Sequence, residues 1–139
     1  MYSVIKVESI DWEKMSEEAH LICFNEIRPK SCNRIDYTLM VVDTRTDKPV
    51  SYITVKEYDD ETVYWQHGGS FPGSTGIPAW KAYNLCIDWS KGFYKRIFTL
   101  IENVNVPMLK MAMKAGFRII GTKTISNGIM VEHYLGLGD

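Results

Sequence analysis

Cysteine is scarce in this 139-residue chain, which has Cys23, Cys32 and Cys86 and no CxxC pair or Cys/His cluster. An odd number of cysteines without ligand spacing argues against a disulfide framework and against a zinc site. We therefore expect a reducing compartment, no metal, and cysteines that pack as small apolar residues.

Neither a strong net charge nor a long apolar run is present. The 16 Lys and Arg residues nearly balance the 17 Asp and Glu residues, so the formal net charge is -1. Such a chain has no overall field that would attract nucleic acid or an anionic membrane. No segment approaches the roughly 20 apolar residues that a membrane span needs, and no signal-peptide pattern opens the chain. We expect a soluble protein with no membrane span and no nucleic-acid partner.

The composition that remains is that of one globular domain spanning residues 1–139. Hydrophobic residues make up 45% of the chain and charged residues 24%. A chain of this length can bury a substantial core.

The first part of the chain changes from a strand pattern to a helical one. Residues 2–8 alternate between apolar and polar, which predicts a strand near the sheet edge. From Trp12 the apolar residues recur every three or four positions, with Asp11 suited to cap the helix and Pro29 limiting its end. The polar stretch 28–36 predicts a loop.

The remaining patterns predict further strands and two more helices. They are strands over 37–42, 50–57 and 61–66, a helix after Pro78, a strand over 94–101, a helix capped by Asn105, and strands over 117–124 and 129–135 around Asn127-Gly128. Short turns between the first three of these strands predict an antiparallel meander, and the helical crossover predicts one parallel step. This order predicts an α+β fold with a mixed, mostly antiparallel sheet and helices on both faces.

A glycine-rich stretch, residues 65–78, connects the third strand of the meander to the next helix. Glycines let backbone N–H groups turn toward one point, and the following helix adds its own unpaired donors and positive dipole end. This is the geometry that binds a phosphate. The alternative is that Gly and Pro only punctuate a strand-to-helix turn.

The segment Asn105-Val106-Pro107-Met108-Leu109-Lys110-Met111-Ala112-Met113-Lys114-Ala115-Gly116-Phe117, in this order of elements, resembles the GNAT superfamily of N-acetyltransferases. The resemblance covers nearly the whole chain. It implies that the glycine loop binds the pyrophosphate of acetyl-CoA, and that the pantetheine arm lies where two parallel strands splay. An amine then attacks the thioester directly. The cofactor-binding residues so implied are Gly68, Gly69, Ser74, Thr75, Gly76, Ile77 and Pro78, with Asn103 and Asn105 reaching the pantetheine amides.

Two positions of the family pattern differ in this chain. Gly73 and Pro78 stand at the first and last positions of the loop pattern, so that only Gly76 matches. The tyrosine that commonly protonates the leaving thiolate in the family falls at Ala112. Losing a general acid typically costs about a hundredfold to ten-thousandfold in rate.

The candidates for a catalytic base are His67 and Glu61. His67 lies at the end of the strand before the loop, beside glycines that could form a bulge, and a neutral imidazole accepts a proton near pH 7. The simpler interpretations are a surface or packing histidine, a solvated turn for Glu61, and a helix cap for Asn105.

Four short stretches also resemble the small internal virion proteins of short-tailed phages. They are residues 1–7, 62–66, 107–110 and 116–118. This resemblance implies a protein of the host cytoplasm, packaged in the virion with other virion proteins as partners. The first hypothesis is therefore a non-catalytic GNAT-fold protein acting in virion structure or assembly. The alternative is an acetyl-CoA-dependent N-acetyltransferase acting on an amine.

Overall fold

A computed structural model describes residues 1–8, 35–71, 76–125 and 128–138 of the chain. The elements in these ranges are β1 Tyr2–Val7, β2 Tyr37–Asp43, β3 Lys48–Glu57, β4 Thr62–Ser70, α1 Ala79–Lys91, β5 Arg96–Glu102, α2 Val106–Lys114, β6 Arg118–Ile125 and β7 Gly128–Gly136. The helix predicted from Trp12 lies outside the described residues, as do Ser74, Thr75 and Asn127. Neither described helix is long and apolar enough to cross a membrane.

The described strands form one sheet of seven in the order β1-β2-β3-β4-β5-β7-β6. Every neighbouring pair is antiparallel except β4 and β5, which are parallel. The predicted α+β class, the meander, the edge position of β1 and the parallel step are therefore confirmed. The sequence did not predict that β7 would lie between β5 and β6.

The core lies between one face of the sheet and the two described helices. Val63 and Trp65 of β4 and Ile97 of β5 are at most 3% exposed and face this core. The Trp65 ring lies 5.2 Å from the ring of Tyr83 on α1 and 6.2 Å from that of Phe117. Burying aromatic side chains of this size supplies much of the energy that holds helices on a sheet.

Local signals set the ends of α2 as the sequence predicts. The Asn105 side chain accepts a hydrogen bond from the Met108 amide at 3.3 Å, and Pro107 lies in the first turn. Gly116 follows the helix with φ +105, a conformation that glycine adopts without strain. A Cβ at this position would also come within 3.3 Å of Leu135.

Strand β4 is longer than predicted, because it continues through His67 to Ser70. Gly68 and Gly69 are thus strand residues paired with Ile53 and Tyr52 of β3, not loop residues. A Cβ on Gly68 would lie 3.2 Å from the Tyr52 carbonyl oxygen. The glycine is therefore what lets the two backbones approach closely.

The connection from α1 to β5 also differs from the prediction. Gly92 is the C-cap residue of α1 and has a right-handed conformation, φ -75. Tyr94, predicted to begin the strand, still donates its backbone N–H to the Ser90 carbonyl at the helix end. The strand therefore begins at Arg96.

Candidate active site

Strands β4 and β5 separate at a defined point. Their parallel pairing runs from Thr62 and Arg96 to Trp65 and Thr99. Beyond it, β4 continues to Ser70 paired only with β3, and β5 continues to Glu102 paired only with β7. The two strands therefore splay at their carboxyl ends, as predicted, and leave a gap. We call this gap the splay.

A β-bulge lies at the start of the splay. In the pairing of β3 with β4, Val55 opposes Trp65 and Ile53 opposes Gly68, so Gln66 and His67 together face a single β3 residue. The sequence suggested a bulge at Gly68-Gly69, and the structure has it immediately before them. A bulge bends its strand and increases the local twist, which directs β4 away from β5 at this point.

The start of α1 lies at the same edge of the sheet as the splay, since the helix follows the carboxyl end of β4. Gly76 has φ +97, and Pro78 is the N-cap residue, whose carbonyl accepts the Lys81 amide at 3.0 Å. The first turn carries no acidic residue. A helix start of this kind presents unpaired N–H groups and the positive end of the helix dipole.

Asn103 and Asn105 follow β5 at this same edge. Both are exposed. The Asn103 backbone N–H donates to the Ile129 carbonyl at 3.0 Å, and Asn105 caps α2. Gly68, Gly69, Gly76, Ile77, Pro78, Asn103 and Asn105 are thus brought to one edge of the sheet.

Glu61 lies at the opposite end of β4. Its carboxylate is exposed and forms ion pairs with Arg96 at 3.0 Å and Lys95 at 3.5 Å. A strand rises about 3.3 Å per residue, so roughly 16 Å of backbone separates Glu61 from Gln66. The structure therefore brings the backbone of His67 to the splay, but not Glu61.

Buried polar atoms without partners surround the start of the splay. Trp65 Nε1, Tyr83 Oη and Gln66 Oε1 have no hydrogen-bond partner among the described residues. Tyr83 is 7% exposed, and burial raises the pKa of its hydroxyl, so this group stays protonated. Unpaired buried polar atoms are costly, and Trp65 and Tyr83, whose rings lie 5.2 Å apart, place two such atoms on the helix side of the sheet, while Gln66 Oε1 belongs to the opposite face.

Tyr83 was missed by sequence reasoning, which counted it among the apolar positions of α1. Its ring centroid lies 5.9 Å from that of Phe117, whose backbone N–H donates to the Ala112 carbonyl at 3.0 Å. Ala112 itself is fully buried. Tyr83 on α1 thus brings a buried hydroxyl to the helix-facing side of the sheet, close to the end of α2.

A second concavity, the sheet-face cavity, lies on the face of the sheet opposite α1 and α2. Its volume is about 550 Å³. Its lining includes Tyr64, Gln66, Phe98 and Leu100, which alternate with the residues that face the helices. Gln66 connects this cavity with the splay. A smaller cavity of about 180 Å³ lies between α1 and α2, beside Trp80 and Lys114.

No protein-family model matches this chain, and no curated protein sequence does. Solved structures do match. IAA acetyltransferase from Bacillus cereus ATCC 14579 aligns with a TM-score of 0.67 at 16% identity, over 96% of this chain and 99% of that one. Spermidine N-acetyltransferase from Vibrio cholerae in complex with CoA and spermine aligns with a TM-score of 0.69 at 13% identity, over 98% and 95%.

A dodecameric structure of the Vibrio cholerae enzyme in an intermediate state aligns with a TM-score of 0.60 at 15% identity. That alignment covers 73% of this chain and spans only 64% of the other. At such identities the likeness concerns the fold. The sheet order, the splay of β4 from β5 and these alignments agree, and the chain has the GNAT acetyltransferase fold.

Proposed function

We propose that this protein is an acetyl-CoA-dependent N-acetyltransferase. The observation that carries the proposal is the splay, where two parallel strands separate beside a bulge, at the edge of the sheet from which the chain continues into α1. Beyond Trp65 and Thr99 the facing backbone groups of β4 and β5 are not paired with each other, so a ligand with amide groups can lie between them. Solved proteins of this fold include one with CoA and spermine bound.

The residues present fit such a ligand. The orphaned Trp65 Nε1 and Tyr83 Oη are donors in an otherwise apolar surrounding. The start of α1, with positive φ at Gly76 and no acidic side chain in its first turn, suits a pyrophosphate. Pro78 supplies one N–H fewer than another residue would, and the amides that follow it remain available.

When bound, acetyl-CoA would supply the acetyl group as a thioester. The transfer forms a C–N bond and breaks the C–S bond; the amine loses one proton and the thiolate gains one. We assign the proton gained by the thiolate to the Tyr83 hydroxyl, because it lies beside Trp65 at the start of the splay and has no partner in the described chain. We assign His67 as the base, since it belongs to the bulge at the splay and imidazole accepts protons near neutral pH.

The proposal is tested by titrating the protein with acetyl-CoA in a calorimeter, and then following CoA release with a panel of amines. We expect saturable 1:1 binding, and turnover with at least one amine. Absence of both heat and thermal stabilisation on adding acetyl-CoA would refute it.

A non-catalytic role in virion structure or assembly is the second candidate. It is favoured by Ala112, which leaves α2 without a hydroxyl, and by the resemblance to phage internal virion proteins. Under this hypothesis the protein is present in purified particles, and no amine is acetylated. Turnover that is abolished by changing His67 would count against it.

A further inference from the structure

The floor of the sheet-face cavity is aromatic. Tyr64 and Phe98 are direct neighbours across β4 and β5. The Tyr58 ring lies 6.2 Å from the Tyr64 ring, and the Tyr134 ring lies 5.2 Å from the Phe98 ring. These rings form a continuous apolar surface across strands, suited to packing against a flat apolar group.

The charges around this floor are mostly positive. Lys56, Lys123 and Glu132 line the cavity, and none of them forms an ion pair within the described ranges. Lys56 lies directly opposite Tyr64 in the pairing of β3 with β4. Two cations against one anion disfavour a polycationic ligand and favour a ligand with an anionic group.

Gln66 lies at the end of the sheet-face cavity that is nearest to the splay. This residue directly follows Trp65, where β4 and β5 stop pairing. Its Oε1 atom is buried and accepts no hydrogen bond in the described structure. A buried acceptor without a donor is costly, and an amine N–H is a donor that would satisfy it.

We propose that the sheet-face cavity binds the acceptor, and that the acceptor is an amine carrying a carboxylate and an aromatic or similarly flat apolar body. Gln66 Oε1 accepts an N–H of the amine at the mouth of the splay. Lys56 binds the carboxylate, and Tyr64 and Phe98 pack against the body. This inference rests on the proposed function, because an acceptor is needed only if the splay holds an acetyl donor.

The positions of Lys56, Tyr64 and Gln66 on the sheet explain why one small molecule can contact all of them. Lys56 opposes Tyr64, and Gln66 is two residues further along the same strand, so their side chains share one face of the sheet. An α-amino acid places its amine and carboxylate on one carbon. Its side chain is then free to lie over the aromatic floor.

The turnover test compares three amines with acetyl-CoA: L-phenylalanine, phenethylamine, which lacks the carboxylate, and spermidine. We expect kcat/KM to decrease in that order. Lys56→Gln should lower kcat/KM for phenylalanine about tenfold and leave kcat/KM for phenethylamine unchanged, because only phenylalanine has the carboxylate that Lys56 binds. Lys48→Gln is the matched control, because Lys48 is an exposed lysine at the other end of β3. A preference for spermidine, or equal effects of the two substitutions, would overturn the inference.

A binding measurement separates this inference from the proposed function. Saturation-transfer NMR detects phenylalanine binding with and without CoA, and calorimetry measures CoA alone. Phenylalanine signals that weaken in Lys56→Gln and in Gln66→Leu, with the CoA Kd unchanged, support the inference. CoA binding without phenylalanine binding overturns the inference and leaves the proposed function standing. Absence of CoA binding overturns the proposed function itself.

Discussion

The Thr99 hydroxyl donates a hydrogen bond to the Trp65 carbonyl oxygen at 3.1 Å, between the last two paired residues of β4 and β5. The side chain thereby adds a hydrogen bond at the point where the backbone ladder between these strands ends. A side-chain hydrogen bond of this kind contributes about 0.5–1.5 kcal/mol of stability. The splay is therefore stabilised by a specific side chain at its base.

Replacing Thr99 by Val should destabilise the protein by about 0.5–1.5 kcal/mol, because the hydrogen bond to the Trp65 carbonyl is lost while the side-chain shape is kept. Thr99→Ser retains the hydroxyl and should lose less. Urea unfolding of the two variants and the parent measures the difference. A Thr99→Val protein as stable as the parent would show that this hydrogen bond has no net value.

The sequence predicted most of the fold, because its strongest signals are local. Asn105, Pro107 and Gly116 act within one turn of the helix they bound, and the continuous apolar run of β2 is buried along most of its length. These effects do not depend on the rest of the chain, and the elements predicted from them were confirmed.

The parts that could not be predicted depend on contacts between distant residues. Where β4 leaves β5 is set by the register of three strands, so the sequence could not assign the bulge to Gln66 and His67. The same holds for the sheet-face cavity, whose lining comes from β3 to β7. Glu61 was proposed because it belongs to the predicted strand before the loop, but it lies at the start of that strand and forms an ion pair with Arg96, at the end remote from the splay.

Replacing Tyr83 by Phe should separate catalysis from stability. The hydroxyl is buried without a partner in the described structure, so removing it should raise the free energy of unfolding by about 1–3 kcal/mol. If it protonates the thiolate, kcat should fall by about a hundredfold or more while acetyl-CoA binding is retained. Steady-state kinetics, calorimetry and urea unfolding on one preparation measure all three.

The control for this variant is Tyr94→Phe. The Tyr94 hydroxyl accepts from Tyr37 at 2.9 Å and donates to Glu57 at 3.0 Å, and it precedes β5 at the end remote from the splay. Its loss should cost about 1 kcal/mol of stability and leave kcat unchanged. A Tyr83→Phe enzyme with parental kcat would remove Tyr83 from the mechanism.

Asp43 should make stability depend on pH in the acid range. The Arg45 guanidinium binds both carboxylate oxygens, at 3.1 and 3.0 Å, and these hydrogen bonds lower the pKa of Asp43 to about 2. Between about pH 4, the usual pKa of an unfolded aspartate, and pH 2 the unfolded chain binds more protons than the folded one. The contribution is therefore complete above pH 4 and is lost as the pH falls through about 2.

Urea unfolding at pH 6, 4 and 2.5 in the parent, Asp43→Asn and Arg45→Gln tests this. Both variants should show a smaller decrease in stability over the acid window than the parent. Added salt should reduce the effect in the parent, because Arg45 is largely exposed. An unchanged acid dependence in both variants would contradict the assignment.

Cys86 should resist thiol reagents while the protein is folded. It is 1% exposed, and burial raises the pKa of its thiol to about 12. At pH 8 its thiolate fraction is then about three orders of magnitude below that of an exposed cysteine. In a protein with Cys23 and Cys32 changed to Ser, the colour reaction with Ellman's reagent should be slow until urea is added. Rapid, stoichiometric reaction without urea would contradict this.

Gly76 is the position where a single side chain should most directly disturb cofactor binding. Its φ of +97 is unfavourable for any residue with a Cβ, by about 1–2 kcal/mol. A Cβ would also lie 3.3 Å from the Tyr2 hydroxyl. Gly76→Val should therefore shift the backbone at the start of α1 and raise the acetyl-CoA Kd about tenfold or more, as measured by calorimetry.

Gly138 provides the matched control for Gly76→Val, because it also has positive φ, +85, but a Cβ there would meet no atom within 4 Å. Gly138→Val bears the same kind of backbone strain near the end of the chain and should leave the Kd unchanged. The double variant Gly76→Ala with Tyr2→Phe separates the crowding against Tyr2 from the backbone strain at Gly76. We expect its Kd to stay above the parental value, because the positive φ remains. A parental Kd in the double variant would show that the contact with Tyr2 is the dominant effect. Parental affinity in Gly76→Val would exclude this turn from the cofactor site.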